Sequence, residues 1–272
     1  MPMSADIARA IANDELRLDY QPKIDATSGI VRGVEALVRW QHPTRGRLGP
    51  DSFIPLAEQG GQIGDLTRWV IRTAIQQARC WREAGLEISI AVNFSARNLE
   101  EIDCPDVFER LCRTADVPCS QFVIEITETA AAGDEIKMMD ITTRLRLKGF
   151  RISIDDFGTG YSSLVQLQRL PFSEMKIDKS FVLQCVTARE SLVIVKAIID
   201  LAHNLNLKVV AEGVETSDVL ERLRGLGCDL AQGYFISRPM EGGLLPDWMS
   251  AWGTSQRTGI GIVNTGSRVS AV

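Results

Sequence analysis

Short runs rich in β-branched residues alternate along the chain with longer amphipathic segments, and this alternation limits the folds open to it. About eight runs are strand-like by this pattern, the last of them weaker than the rest: 17–24, 30–39, 87–94, 121–127, 149–155, 174–177, 207–211 and 228–232. Between them, apolar residues recur at helical spacing over 63–83 and 190–205. The pattern predicts a mainly parallel sheet covered by helices.

The first two strand-like runs are joined only by the turn at 25–29, whereas parallel neighbours need a crossover of about a dozen residues or more. These two runs should therefore form an antiparallel hairpin. Eight strands in a chain of 272 residues are typical of a closed barrel. We expect an α/β fold, a TIM-like (β/α)₈ barrel with one antiparallel strand near the N-terminus, as one domain over residues 1–252.

Residues 253–272 are rich in Gly, Ser and Thr and lack an amphipathic period, which predicts a flexible C-terminal tail. The net charge of −5 gives no support for binding long nucleic acid. No run approaches the length of a membrane span and no secretory signal is seen, so a cytoplasmic location is expected. The six cysteines form no C-x-x-C pair and are expected to be reduced thiols.

Polar residues stand at or near the carboxyl ends of several strand-like runs: Glu35, Asn93, Glu125, Asp155, Asp156, Lys176 and Glu212. Alternate residues of a strand share a face, so Asn93, Glu125, Asp155 and Glu212 can all point into one barrel mouth. TIM barrels place their chemistry at this end of the strands. Each Asp or Asn alone could equally initiate a turn or cap a helix, but caps do not require this recurrence and parity.

Two adjacent carboxylates, Asp155 and Asp156, repel each other unless a cation lies between them. Two histidines are too few for a histidine-rich metal site, so any metal should be held by oxygen, as Mg²⁺, Mn²⁺ or Ca²⁺ are. A lysine in a buried strand, Lys176, fits a site that contains carboxylates or an anionic substrate. Two such cations suit displacement at phosphorus, which makes phosphoester hydrolysis the leading reaction class.

These residues belong to motifs that resemble the EAL-type cyclic di-GMP phosphodiesterases, named after the triplet Glu35-Ala36-Leu37. The resemblance covers about 16–240. It rests on the ordered set Tyr20-Gln21-Pro22, Glu35-Ala36-Leu37-Val38-Arg39-Trp40, Phe53-Ile54-Pro55-Leu56-Ala57-Glu58, Val92-Asn93-Phe94-Ser95, Glu125-Ile126-Thr127-Glu128, Asp155 to Leu164, Lys176-Ile177-Asp178, Ala211-Glu212-Gly213-Val214-Glu215 and Gln232-Gly233-Tyr234.

The resemblance implies a barrel that hydrolyses one 3′–5′ phosphodiester bond of cyclic di-GMP to linear pGpG with two divalent cations. Mg²⁺ or Mn²⁺ would support turnover, and Ca²⁺ would bind as an inhibitor. The implied ligands of one cation are Glu35, Asn93, Glu125 and Asp155, while Asp155 and Asp156 would serve the second. Glu212 and Lys176 are the implied catalytic residues, which position or activate the attacking water.

The resemblance also implies substrate contacts, namely Gln21, Arg39, Asp178, Gln232 and Tyr234. From the residues alone, a surface salt bridge is favoured for Arg39 and simple packing for Tyr234. Glu128 and Glu215 resemble acids that hold the loop after Asp156 and the strand-end region in place. In similar proteins the glycine loop with Gly158, Thr159 and Ser162 couples cation binding to a homodimer interface, so a homodimer through the loop after Asp156 is expected.

Two alternatives remain open beside the enzyme. One is a cyclic di-GMP receptor that regulates a partner without hydrolysis, as family members with eroded metal sites are thought to do; the retained acids argue against it. The other, arguable without the resemblance, is a divalent-metal barrel enzyme that acts on a small carboxylate or a sugar phosphate.

Overall fold

The computed structural model describes residues 4–131, 134–160 and 164–258. Its ten strands are β1 (Leu16–Asp25), β2 (Val31–His42), β3 (Gly46–Leu48), β4 (Ser89–Phe94), β5 (Phe122–Thr127), β6 (Arg151–Phe157), β7 (Glu174–Ile177), β8 (Lys208–Ala211), β9 (Leu230–Gln232) and β10 (Met240–Glu241). All eight predicted strand-like runs are strands, with ends shifted by a few residues. Two short strands, β3 and β10, were not predicted.

The described α-helices are α1 (Ser4–Ala12), α2 (Ile54–Gln59), α3 (Ile63–Glu83), α4 (Cys104–Thr114), α5 (Glu128–Ala131), α6 (Glu135–Leu147), α7 (Leu164–Arg169), α8 (Lys179–Gln184), α9 (Arg189–Asn204), α10 (Ser217–Gly225) and α11 (Leu245–Thr258). Helix α3 has the bounds that the apolar spacing predicts, and it buries the predicted stripe, including Leu66, Val70 and Ala74.

Eight of the strands close into a barrel in the order β1, β2, β4, β5, β6, β7, β8, β9 and back to β1. Strand β1 pairs antiparallel with both of its neighbours in the ring, β2 and β9. Every other pairing in the ring is parallel. The predicted (β/α)₈ barrel with one reversed strand is therefore confirmed. Strands β3 and β10 extend the sheet outside the ring, on β2 and β1 respectively.

The main hydrophobic core lies between the outer faces of the strands and the helices. Outward residues such as Val92, Ile124 and Ile154 are almost fully buried there. The inner faces carry the alternate residues, which include polar and charged side chains at the carboxyl ends of the strands and below them. This parity directs Asn93, Glu125 and Asp155 toward one mouth of the barrel.

Helix α11 continues through residue 252, the predicted boundary, to Thr258. Trp252 is buried and its indole N–H donates to the carbonyl oxygen of Gly29, 2.8 Å away. The rest of the predicted tail, 259–272, lies outside the described residues. Among the helices that are described, none is long and apolar enough to cross a lipid bilayer.

Candidate active site

A buried lysine lies at the centre of the polar cluster in the barrel mouth. Lys176, on β7, has a side chain only 1% exposed, and its Nζ contacts carboxylates from four other strands or strand ends. The distances are 2.7 Å to Glu212 Oε1, 2.9 Å to Glu125 Oε2, 3.0 Å to Asp155 Oδ1 and 3.7 Å to Glu35 Oε2. Burial lowers the pKa of this ammonium, but the carboxylates outweigh burial and raise the pKa well above its ordinary value.

Glu35 is held in place by two amides. The side-chain N–H groups of Asn93 and Gln232 donate to its two oxygens at 2.9 and 2.8 Å. Burial favours the neutral acid, but Lys176, Lys23 and these hydrogen bonds lower the pKa of Glu35 to about 2. Glu35 is therefore a fixed carboxylate, and Asn93 still has its amide oxygen to offer a cation.

Asp155 and Asp156 lie on a β-bulge, where three residues of β6 span two residues of β7. Regular alternation would send Asp156 to the outer face of the barrel. Instead Asp156 has a φ of 54°, in the left-handed region, and its N–H donates to Asp155 Oδ1. The bulge therefore brings both carboxylates to one side. Oxygens of Asp155, Asp156 and Glu212 all lie within 4.8 Å of one another.

Three of the clustered carboxyl groups are hard to ionise in the protein alone. Burial raises the pKa of Glu212 to about 8 and that of Glu125 to about 7, although Lys176 opposes both shifts. Burial and the neighbouring Asp155 raise the pKa of Asp156 to about 6. A cation bound among these oxygens would relieve the repulsion. The donor set, carboxylates with one amide and no histidine or cysteine, fits hard divalent cations.

Two residues of the cluster were missed by the sequence analysis. Lys23 on β1 is 2.6 Å from Glu125 Oε1, and Glu174 on β7 lies 3.8 Å from Lys23 Nζ. Both side chains are buried. The parity rule could have found them, because Lys23 shares a face with Gln21, and Glu174 shares a face with Lys176.

Gln21 and Gln232, predicted as substrate contacts, are part of the buried network instead of standing free. The Gln232 side-chain N–H groups donate to Gln21 Oε1 at 3.0 Å as well as to Glu35. Gln21 in turn donates to the carbonyl oxygen of Ser237, 3.0 Å away. Both glutamines nevertheless line the cavity above the acids, so they combine support of Glu35 with access to that cavity.

Of the other three predicted substrate contacts, Tyr234 lines the polar cavity, and Arg39 and Asp178 do not. The Arg39 Nε donates to Asp19 at 3.1 Å, so Arg39 forms a salt bridge, but with a buried carboxylate and not at the surface as favoured from the residues alone. Asp178 caps α8 by accepting from the N–H of Ser180. Tyr234 is 46% exposed at the cavity edge, with the guanidinium of Arg238 4.3 Å from its ring centre.

Glu128 holds the glycine loop that follows Asp156. Its Oε2 accepts the N–H groups of Gly158 and Gly160, each at 2.9 Å. Gly158 has a φ of 101°, and a Cβ on Gly160 would lie only 3.1 Å from Glu128 Cδ. The Thr159 hydroxyl donates to the carbonyl oxygen of Asp156, which closes the turn. The loop is thus shaped around one buried carboxylate.

Glu215 and Ser162 were also predicted to belong to the site. Glu215 is exposed at the edge of the cavity above the acids. Ser162 lies outside the described residues.

Two cavities meet at the barrel mouth. One, of about 270 Å³, lies over the acids and is lined by polar groups such as Glu35, Asp155 and Glu212. The other, of about 550 Å³, is lined mainly by apolar groups of α2, α3 and the neighbouring strands. Leu37 lines both, so the two cavities adjoin. The arrangement offers a charged compartment beside an apolar one.

The chain matches the EAL domain family over residues 4–239. It is 41% identical over 250 residues to the oxygen sensor protein DosP of Escherichia coli, covering 92% of this chain and 31% of DosP. It is 42% identical over 253 residues to the cyclic di-GMP phosphodiesterase NbdA of Pseudomonas aeruginosa, covering 93% and 32%. The chain therefore spans about a third of the length of these curated relatives.

A solved structure described as the PaMucR phosphodiesterase in complex with c-di-GMP aligns with a TM-score of 0.85 at 42% identity. The alignment covers 89% of this chain and 98% of that one. The EAL enzyme Bd1971, bound to cAMP and cyclic di-GMP, also aligns with a TM-score of 0.85, at 32% identity over 90% of this chain and 68% of that one. With the sequence motifs and the barrel in agreement, the chain belongs to the EAL domain family.

Proposed function

We propose that the chain hydrolyses one 3′–5′ phosphodiester bond of cyclic di-GMP to give linear pGpG. The observation that carries this proposal is the cluster in which oxygens of Asp155, Asp156 and Glu212 converge beside the buried Lys176. Relatives named cyclic di-GMP phosphodiesterase, and a solved neighbour in complex with c-di-GMP, support the choice of substrate.

Divalent cations follow from the charge of the site. The cluster contains five carboxyl groups, Glu35, Glu125, Asp155, Asp156 and Glu212, and two ammonium groups, so it carries a net negative charge once all its acids are ionised, and an anionic phosphodiester would then be repelled unless cations were bound. The residues that would hold two cations are Glu35, Asn93, Glu125 and Asp155 for one, and Asp155 with Asp156 for the other. When bound, Mg²⁺ or Mn²⁺ supplies charge neutralisation at the phosphate and lowers the pKa of a water molecule.

The residues of the chain then have separate tasks in the hydrolysis. The water oxygen forms a bond to phosphorus while the bond from phosphorus to O3′ breaks, which leaves a 5′-phosphate on pGpG. Glu212 orients the water and accepts its proton, and the leaving O3′ takes up a proton from solvent. Lys176, 2.7 Å from Glu212, fixes the orientation of that carboxylate.

The two adjoining cavities suit a ligand with charged and aromatic parts. We assign the phosphodiester to the polar cavity and a guanine base to the apolar one. Gln21, Arg39, Asp178, Gln232 and Tyr234 remain the proposed substrate contacts. A homodimer through the loop after Asp156 also remains a proposal, and it is checked by the mass of the protein in solution.

The direct test is chromatographic detection of pGpG from cyclic di-GMP with Mg²⁺, comparing the wild type with Glu35→Ala. We expect product only from the wild type, and equal product from both would overturn the assignment. Binding of cyclic di-GMP without release of pGpG would favour the regulatory receptor. A panel that includes sugar phosphates exposes the remaining alternative, because such an enzyme would ignore cyclic dinucleotides.

A further inference from the structure

Lys23 gives the barrel a second buried ammonium below the proposed catalytic site. Its side chain is 4% exposed, and its Nζ lies 2.6 Å from Glu125 Oε1. Neither Lys23 nor Glu125 lines the polar cavity, whereas Lys176 does. Burial of a lysine ammonium costs free energy unless the charge is paired. The presence of a second lysine here therefore needs a structural or chemical explanation.

Each of the two ammonium groups contacts a different oxygen of Glu125. Oε1 contacts Lys23 at 2.6 Å and Oε2 contacts Lys176 at 2.9 Å, while the side chain of Glu125 is 0% exposed. Each oxygen therefore has its own cationic neighbour, and the plane of the carboxylate is fixed. Only Oε2 lies on the side of Lys176, which also contacts Asp155 and Glu35.

Beneath Lys23 the barrel interior is polar but incompletely paired. Glu174 Oε1 is 3.8 Å from Lys23 Nζ, which is too long for a hydrogen bond. Among the described residues, neither this oxygen nor the nearby Ser153 Oγ has a hydrogen-bond partner. Ser153 lies opposite both Glu125 and Glu174 in the sheet register. Glu174 thus helps to neutralise the charge of Lys23, while the hydrogen bond of Lys23 goes to Glu125.

We infer that Lys23 is a positioning residue for cation binding: it holds Glu125 Oε1 below the site, so that Glu125 offers a cation only Oε2. This inference rests on the proposed function, because Glu125 is one of the proposed ligands. Lys23 acts through Glu125 and contacts neither substrate nor the reacting atoms. Partners of this kind behind a metal ligand typically change metal affinity by about 10–100-fold when they are removed.

Removing Lys23 has two effects on cation affinity, and they have opposite signs. The direction of the change in affinity therefore distinguishes them. Removing a positive charge near the site would by itself strengthen the attraction for a cation. Removing the donor leaves Oε1 buried without a partner, and the carboxylate is no longer held in one orientation. Positioning therefore predicts weaker cation binding, while simple charge repulsion predicts tighter binding.

The experiment titrates Mn²⁺ into metal-free protein and measures the dissociation constant by calorimetry and by electron paramagnetic resonance. We expect Lys23→Met to weaken Mn²⁺ binding by about tenfold or more. Lys23→Gln, which keeps an N–H donor but loses the charge, should lie closer to the wild type than Lys23→Met. Lys196→Met, at an exposed helical ion pair with Asp200, is the matched control and should stay within about twofold.

Unchanged or tighter Mn²⁺ binding by folded Lys23→Met overturns the inference. If Lys23→Met does not fold, the double variant Lys23→Met with Glu174→Gln replaces it, since Glu174 then no longer carries an unbalanced buried charge. If that variant also fails to fold, the role of Lys23 is purely structural and the inference is overturned. No nucleotide is present, so the result does not depend on whether the wild type hydrolyses cyclic di-GMP.

Discussion

Asp156 combines an unusual backbone conformation with a proposed ligand role, and the two can be separated. Its φ of 54° is tolerated by Asp and Asn better than by Ala and other apolar residues. We expect Asp156→Ala to be about 1 kcal/mol less stable than Asp156→Asn, because both remove the charge but only Asn suits this conformation. Chemical denaturation of both variants in metal-free buffer measures the difference. Equal stabilities would show that the bulge does not depend on the residue type at 156.

Glu212 predicts a pH dependence of stability in the metal-free protein. Its pKa is raised from 4.5 to about 8, so the folded protein holds a proton that the unfolded chain releases above its own pKa. Stability is therefore greatest below about pH 4.5 and is lost as the pH rises through about 8. Asp156 adds the same sign between 3.8 and about 6, while the lowered pKa of Glu35 acts only below about 4.5.

Thermal unfolding with EDTA between about pH 5.5 and 8.5 checks this dependence. We expect Tm to fall by about 5–10 °C across that window. Glu212→Gln should reduce the fall, because the amide does not titrate, and excess Mg²⁺ should reduce it by stabilising the ionised acids. The explanation is wrong if Glu212→Gln shows the same fall as the wild type.

At the residue scale, the alternation of strand residues predicted which side chains point into the barrel mouth. It placed Asn93, Glu125 and Asp155 together, and the structure brings them together. It could not place Asp156, because a bulge adds one residue and breaks the alternation. It could place Lys23 on an inner face but could not show that Lys23 contacts Glu125, because β1 and β5 are not neighbours in the ring and parity does not say which interior residues meet across the barrel.

The glycine loop after β6 depends on one carboxylate at the start of another element. Glu128, the first residue of α5, accepts the N–H groups of Gly158 and Gly160. Glu128→Gln keeps the shape but replaces the charge and one of the acceptor oxygens, so the loop loses charge-assisted hydrogen bonds. We expect hydrolysis of cyclic di-GMP to fall by about tenfold or more, with a loss of stability of about 1–3 kcal/mol.

Product chromatography and denaturant unfolding of Glu128→Gln measure the two quantities. Glu83→Gln is the matched control, because Glu83 lies in an exposed ion pair with Arg79 far along α3 and should change neither. Wild-type turnover by Glu128→Gln would mean that the loop conformation does not matter for the chemistry.

Strand and helix positions were predictable where the apolar residues recur regularly, as in α3. They were less predictable for the short strands outside the ring and for the C-terminal helix. Strands β3 and β10 contain three and two residues, too few to show a period of two. Helix α11 was not predicted, and its C-terminal part contains Gly253, Thr254 and Ser255, which have weak helix propensity.

At the scale of the whole molecule, the family match ends at residue 239, but the structure does not. Strand β10 pairs with β1, placing Met240 opposite Tyr20, and the indole N–H of Trp81 donates to the carbonyl oxygen of Gly242 at 3.0 Å. Trp252 is 4% exposed, and its ring lies 5.4 Å from that of Trp248 in a stacked arrangement. These contacts join the C-terminal segment to the reversed strand β1 and to α3.

A chain that ends at residue 239 should therefore be severely destabilised relative to the full chain. Trp252→Ala in the full chain should cost about 3–5 kcal/mol, since it removes a large buried ring and the hydrogen bond to Gly29. In a domain of this size that corresponds to a fall in Tm of about 10 °C. Calorimetry of the three proteins measures these effects. A cooperative transition at the full-length Tm for the chain ending at 239 would mean that the barrel closes without α11.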